Sequence, residues 1–164
     1  MATPAMPLLS REALAALVSD VTRTLLGIQL VPDLASPARR ARDPRGAVLV
    51  LPGPRPLTVA LAADAPACLT LAGAMFSCRP HQVDASMIDD AIAEMVNIVA
   101  GATRAALGLD QPLGLPRLVA DAAALMADDS RWRSARLGQG GRPALLWVAL
   151  AERAPRAGRE EWER

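Results

Sequence analysis

The sequence predicts an α+β domain in which long helices pack on one mainly antiparallel sheet. Three observations predict it. Residues 11–26 and 84–107 contain no proline and repeat apolar residues at three- and four-residue spacing. Two pairs of short apolar segments flank loops rich in proline or glycine. A stretch near the end of the first long segment is echoed near the end of the second.

The elements follow in order. Ser10 is an N-cap, and Leu14, Leu17, Val18, Val21 and Leu25 line one face of a helix over 11–26 that Gly27 ends. Residues 28–34 form a strand, and an exposed loop carrying Pro37, Arg39, Arg40, Arg42 and Pro44 follows. Ala47–Leu51 and Leu57–Leu61 make a hairpin around Pro52, Gly53, Pro54 and Arg55. Asp64 to Phe76 reads as a short buried helix with a capping aspartate, broken at Arg79 and Pro80. The longest helix runs from Asp84 to Leu107, with Ile88, Ile92, Met95, Val99, Ala102 and Ala106 apolar, and is closed by Gly108 and Pro112. Leu113–Val119 and Arg131–Leu137 read as strands with a short helix, Asp121–Ala127, between them. A second hairpin joins Trp132–Leu137 to Ala144–Ala151 across Gly138, Gln139, Gly140 and Gly141. Residues 155–164 are a charged tail, which leaves 1–154 as a single domain. A domain of this size buries about 70% of the surface that its unfolded chain exposes.

The echo relates Thr22-Arg23-Thr24-Leu25-Leu26-Gly27-Ile28 to Thr103-Arg104-Ala105-Ala106-Leu107-Gly108-Leu109. Candidate strands follow each copy, so the chain reads as two helix-plus-strands units sharing one sheet.

Composition excludes several function classes. The net charge of +1 gives no overall pull toward nucleic acid, and Phe76, Trp132, Trp147 and Trp162 are too scattered for a base-stacking platform. All eighteen basic residues are arginine, so lysine chemistry is excluded. No apolar run approaches the roughly 20 residues of a membrane span, and Arg11 and Glu12 interrupt any secretory pattern after Leu8 and Leu9, which makes the cytoplasm the expected location. Cys68, Cys78 and His81 lack the spacing of a zinc set, so no metal site is expected. The thiols read as small buried hydrophobes rather than nucleophiles, and His81 as a surface residue beside Pro80.

The informative residues lie on the longest helix. At 3.6 residues per turn Asp90, Glu94, Asn97, Gly101 and Arg104 fall on one stripe. Such a stripe is most often the solvated face of an amphipathic helix. Two residues argue for more. Asparagine competes for backbone hydrogen bonds inside a helix, and glycine costs about 1 kcal/mol relative to alanine there. Asn97 and Gly101 on one ridge therefore suggest that something approaches it.

At these residues the chain resembles a known family. Asp90-x-x-x-Glu94-x-x-Asn97-x-x-x-Gly101, within IDDAIAEMVNIVAGATRAALG, is similar to the signature of the CheC/CheX/FliY chemotaxis phosphatases, and LGLPRLV around Pro116 is similar to their downstream proline element. The element order resembles the CheX-like domain over roughly residues 8–152, and the short Asn97-to-Pro116 spacing favours that branch over CheC. The resemblance implies a CheC/CheX-like fold and hydrolysis of the aspartyl phosphate of a CheY-like response-regulator receiver. That receiver brings its own Mg2+, so no cofactor belongs to the chain itself. Asn97 would then hold the attacking water, and Glu94 would pair with the receiver's lysine. Gly101 would allow close packing, and Asp90 and Arg104 would be rim or capping contacts. Aligning the echoed Thr-Arg pairs sets Ala13 opposite Glu94 and Ala16 opposite Asn97, so one site per chain is expected. The resemblance also implies a homodimer. The other readings are a non-catalytic adaptor that binds receivers or flagellar-switch components and, more distantly, a thiol enzyme at Cys68 or Cys78.

Overall fold

The computed structural model describes residues 8–33, 41–127, 130–140 and 145–152. It contains α1 (Arg11–Leu26), β1 (Val31–Pro32), β2 (Arg45–Leu51), β3 (Leu57–Ala63), α2 (Ala65–Met75), α3 (Ala85–Ala106), β4 (Arg117–Leu118), α4 (Ala122–Ala127), β5 (Arg133–Gly138) and β6 (Leu145–Ala151). A single 3-10 turn, Pro80–Gln82, precedes α3.

Side-chain caps start the helices where the sequence places them. Ser10 Oγ accepts from the Ala13 N–H at 3.0 Å, Asp64 from Ala67 at 3.0 Å, Asp84 from Met87 at 2.8 Å and Asp121 from Ala124 at 2.9 Å. Gly27 ends α1 in the left-handed conformation, and Gly108 adopts the same region just past α3.

The strands form a six-stranded sheet, every pairing antiparallel, in the order β1-β5-β6-β3-β2-β4. Exchanging β1 with β4, β2 with β5 and β3 with β6 reproduces that order reversed, which is the signature of two α-β-β-β units related by a pseudo-two-fold axis between β6 and β3. The echo extends to packing. The buried residues of α1 are Leu14, Ala15, Val18 and Thr22, and the residues aligned with them in α3, Met95, Val96, Val99 and Thr103, are all buried too.

Alternation along the strands divides the interior. Leu49, Leu51, Leu57, Val59, Leu61, Val148 and Leu150 face α1, α2 and α3, whereas Val48, Ala60, Ala62, Trp147 and Ala149 face the opposite way, toward α4 and Trp132. Trp132 and Trp147 meet edge to face at 6.0 Å and 79°. β3 is thereby buried on both faces.

The strands expected over 28–34 and 113–119 are far shorter in the structure, two residues each. Both lie at sheet edges, and Pro32 and Pro116 have no N–H to extend a ladder. The helical face also differs in detail. Leu25, expected inward, is 58% exposed, while Thr22 is buried with its hydroxyl donating to the Val18 and Ser19 carbonyls. On α3, Ala106 is exposed and Thr103 takes the last inward position. Most of the expected proline-arginine loop (residues 34–40) and the tail from 155 lie outside the described residues.

Asp64 joins the two halves. Beyond capping α2, its buried carboxylate accepts from the Leu145 N–H at 3.1 Å, and its own N–H donates to the Leu145 carbonyl at 3.1 Å. Replacing Asp64 with alanine should cost about 2–3 kcal/mol in urea denaturation, combining a lost cap with an orphaned buried N–H, and asparagine should recover part of it.

Candidate functional site

α3 is held by a seam of Ala91, Ile92, Met95, Val96, Val99, Ala100 and Thr103, which packs on β2 and β3 and beside α1 and α2. The seam leaves the opposite side of the helix outward. Asp90 and Glu94 are exposed, and Asn97, Gly101 and Arg104 are half-buried. The structure therefore brings all five residues of the stripe onto one ridge. Glu94 and Asn97 are one turn apart, near enough to enter the same cleft of a partner.

Among the described residues, no hydrogen bond or ion pair engages Asp90, Glu94 or the Asn97 amide. Ion pairs form elsewhere, between Arg23 and Asp20 at 2.7 Å and between Arg45 and Asp89 at 3.0 Å. Asn97 thus presents an acceptor and two donors on a helix whose backbone is fixed by packing.

The C-terminal end of the ridge is bound to the loop that follows α3. Arg104 Nη1 reaches the Gln111 carbonyl at 3.5 Å. The Gln111 side chain, which sequence reasoning missed, donates to the Leu51 and Arg55 carbonyls at 3.2 and 3.0 Å and so ties this loop to the turn between β2 and β3. Gly53 makes room for it, since a Cβ there would stand 2.8 Å from Gln111 Oε1. The local signal for this contact was weak: one glycine in a proline-rich turn and one glutamine far along the chain.

The two glycines bordering the ridge differ physically. At Gly114 the N–H donates to the Val50 carbonyl at 2.8 Å, and a Cβ would collide with that same carbonyl oxygen. At Gly101 a Cβ would meet only Leu113 Cδ1, at 3.8 Å, an ordinary contact. Nothing within the described chain demands glycine at 101. Pro116 is half-buried just before β4, at the end of this loop.

Neither cysteine lies on the ridge. Cys68 is buried with its thiol donating to the Ala63 carbonyl at 3.4 Å, and burial pushes it up to about 11. Cys78 is half-buried in the segment after α2, and His81 is exposed in the 3-10 turn. No three His, Cys, Asp or Glu side chains converge as metal ligands among the described residues. No helix among them is long and apolar enough to cross a membrane.

The sequence matches the family model described as chemotaxis phosphatase CheX over residues 46–136, more than half of the chain. The chain belongs to the CheX family. Solved structures of CheX-family proteins share its fold. CheX from Vibrio vulnificus is 15% identical with a TM-score of 0.59, over 84% of this chain and 95% of that one. CheX from Desulfovibrio desulfuricans is 15% identical with a TM-score of 0.59, over 85% and 96%. CheX of Borrelia burgdorferi, in a CheX-CheY-BeF3-Mg2+ complex, is 15% identical with a TM-score of 0.63, over 90% and 100%. The α+β architecture expected from the sequence is thus that of CheX. A search of curated proteins found no match.

Two measurements check this geometry. Gly101→Ala should raise stability by about 1 kcal/mol through helix propensity, whereas Gly114→Ala should lower it, both read by urea denaturation. At pH 8 the native Cys68 thiol should react with iodoacetamide about two orders of magnitude more slowly than a free cysteine, as peptide mapping of a time course would reveal.

Proposed function

We propose that this chain is a phosphatase that hydrolyses the aspartyl phosphate of a CheY-like response-regulator receiver in the cytoplasm. The observation that carries the reading is Asn97: a half-buried amide, engaged by no other described residue, on the outward ridge of a packed helix in a CheX-family fold. The CheX-CheY complex of the Borrelia burgdorferi relative supports a receiver as the partner, with the cation entering as part of the phosphorylated substrate.

The chemistry requires little from the chain. Phosphoryl transfer is governed by positioning and charge, and the receiver supplies the cation and a lysine at its own site. Asn97 accepts a hydrogen bond from a water and holds it in line with the phosphorus, which converts a bimolecular attack into an oriented one. Glu94, one turn earlier and exposed, pairs with the receiver lysine and sets the depth of entry. Gly101 lets the receiver backbone approach the ridge, consistent with the absence of any internal reason for a glycine there. Asp90 and Arg104 form the rim, Arg104 already leaning on the post-α3 loop.

One site serves each protomer, because α1 carries Ala13 and Ala16 at the positions aligned with Glu94 and Asn97, both exposed. We further propose a homodimer. The sheet is open, with the two-residue strands β1 and β4 at its edges, and an open edge can pair with a second copy.

The test is phosphate release from a panel of phosphorylated receivers at fixed Mg2+. Wild type should accelerate hydrolysis; Asn97→Ala should lower kcat by about a hundredfold while keeping most receiver affinity, and Glu94→Ala should act mainly on KM. Near-normal turnover in both variants would remove the site assignment. Receiver binding without acceleration by wild type would make the chain an adaptor.

A further inference from the structure

Two large apolar side chains stand exposed at the end of the loop that borders the ridge and in β4 after it: Leu115, 86% exposed, and Leu118, 48% exposed. Single exposed leucines are ordinary. These two are exposed on a segment with little freedom to bury them. Gln111 anchors the loop to Leu51 and Arg55, the Gly114 N–H donates to Val50, and the Val119 N–H donates to Gly46 at 3.0 Å. Pro112 and Pro116 fix φ on either side of Gly114.

Register locates the second leucine. Leu118 pairs directly with Ala47, which faces the helices, and opposed residues of an antiparallel pair share a face. Leu118 therefore stands on the side of the sheet that carries α3. The surface adjoins the helix that carries the ridge, because β4 packs beside α3, and in the loop leading to it Leu113 lies near Gly101 and Arg104 reaches Gln111.

We propose that Leu115 and Leu118 form an apolar shelf that the receiver covers when its phosphoaspartate reaches Asn97. This rests on the phosphatase reading and adds a determinant of partner affinity to it. The ridge offers an acid and an amide, polar contacts that orient the receiver and carry part of its affinity. Removing two leucines from water adds apolar docking energy to those contacts, and the nearness of shelf and ridge places a domain seated on Asn97 across both.

The test compares Leu115→Ser/Leu118→Ser with wild type in steady-state hydrolysis of the receiver that wild type dephosphorylates. Leu25→Ser, a 58% exposed leucine on α1, is the control. The double variant should raise KM about tenfold, leave kcat within about twofold, and melt as wild type does; the control should change neither parameter. If the double variant folds poorly, Leu115→Ser alone, in the loop, carries the test. An unchanged KM overturns the shelf, as does a loss of oligomer in sedimentation with KM unchanged, which would assign the leucines to a second copy. If wild type releases no phosphate, the phosphatase reading fails separately. The shelf is then judged by affinity for a BeF3-loaded receiver, where equal binding of variant and wild type overturns it and about tenfold weaker binding sustains it.

Discussion

The structure depends on how α3 is seated. Its inward residues come in adjacent pairs one turn apart, Ala91 with Ile92, Met95 with Val96 and Val99 with Ala100, before Thr103 closes the seam. Paired inward positions give a wide contact band, and a wide band permits one rotation of the helix about its axis, because any other would expose several of these side chains. The ridge is the complement of that band. Asp90, Glu94 and Asn97 contribute almost nothing to the core, yet their direction is set by it. A cavity or a polar substitution in the seam, at Met95 or Val99, would therefore disturb the ridge without touching it.

The same seam explains the divergence of the two halves. Leu14, Ala15, Val18 and Thr22 reproduce it in α1, and the sheet order is symmetric about the β6-β3 boundary. Packing constrains these positions in both copies. Nothing in the fold constrains the outward ones, so alanine stands in α1 where Glu94 and Asn97 stand in α3. That asymmetry also accommodates the low identity, 15%, to relatives that share the fold: inward positions need volume and apolarity, which many sequences provide.

Much of this was legible in the sequence. Helix starts were marked by Ser10, Asp64, Asp84 and Asp121, whose carboxylates or hydroxyl satisfy backbone N–H groups locally, and both hairpins were marked by their turn residues. The edge strands are shorter than the apolarity around Val31 and Leu118 predicts, because prolines and the want of a neighbour on the outer side limit the ladder. Contacts that arise from folding itself were not legible. Asp64 reads as a simple cap until Leu145 arrives from the other half of the chain, Trp132 just before β5 meets Trp147 on β6, and Gln111 bridges to carbonyls 56 and 60 residues earlier. The five ridge residues were recovered together because one helix carries them all, so periodicity alone sufficed to group them.

An amide that positions water faces two opposing requirements. It must be held still, since loose orientation forfeits the entropic gain of positioning, and its polar atoms must stay free, since an internal hydrogen bond would compete with the water. A hydrogen-bonded asparagine meets the first requirement and fails the second; one on a mobile loop does the reverse. In the role proposed for it, Asn97 would reconcile them by placement. Its backbone belongs to the mid-region of a packed helix with buried Val96 before it and buried Val99 and Ala100 two and three residues on, while no other described residue engages its side chain. The restraint comes from van der Waals packing of neighbours rather than from bonds to the amide. For the proposed reaction, whose cation and lysine would both arrive with the substrate, that is the contribution left for the chain to make.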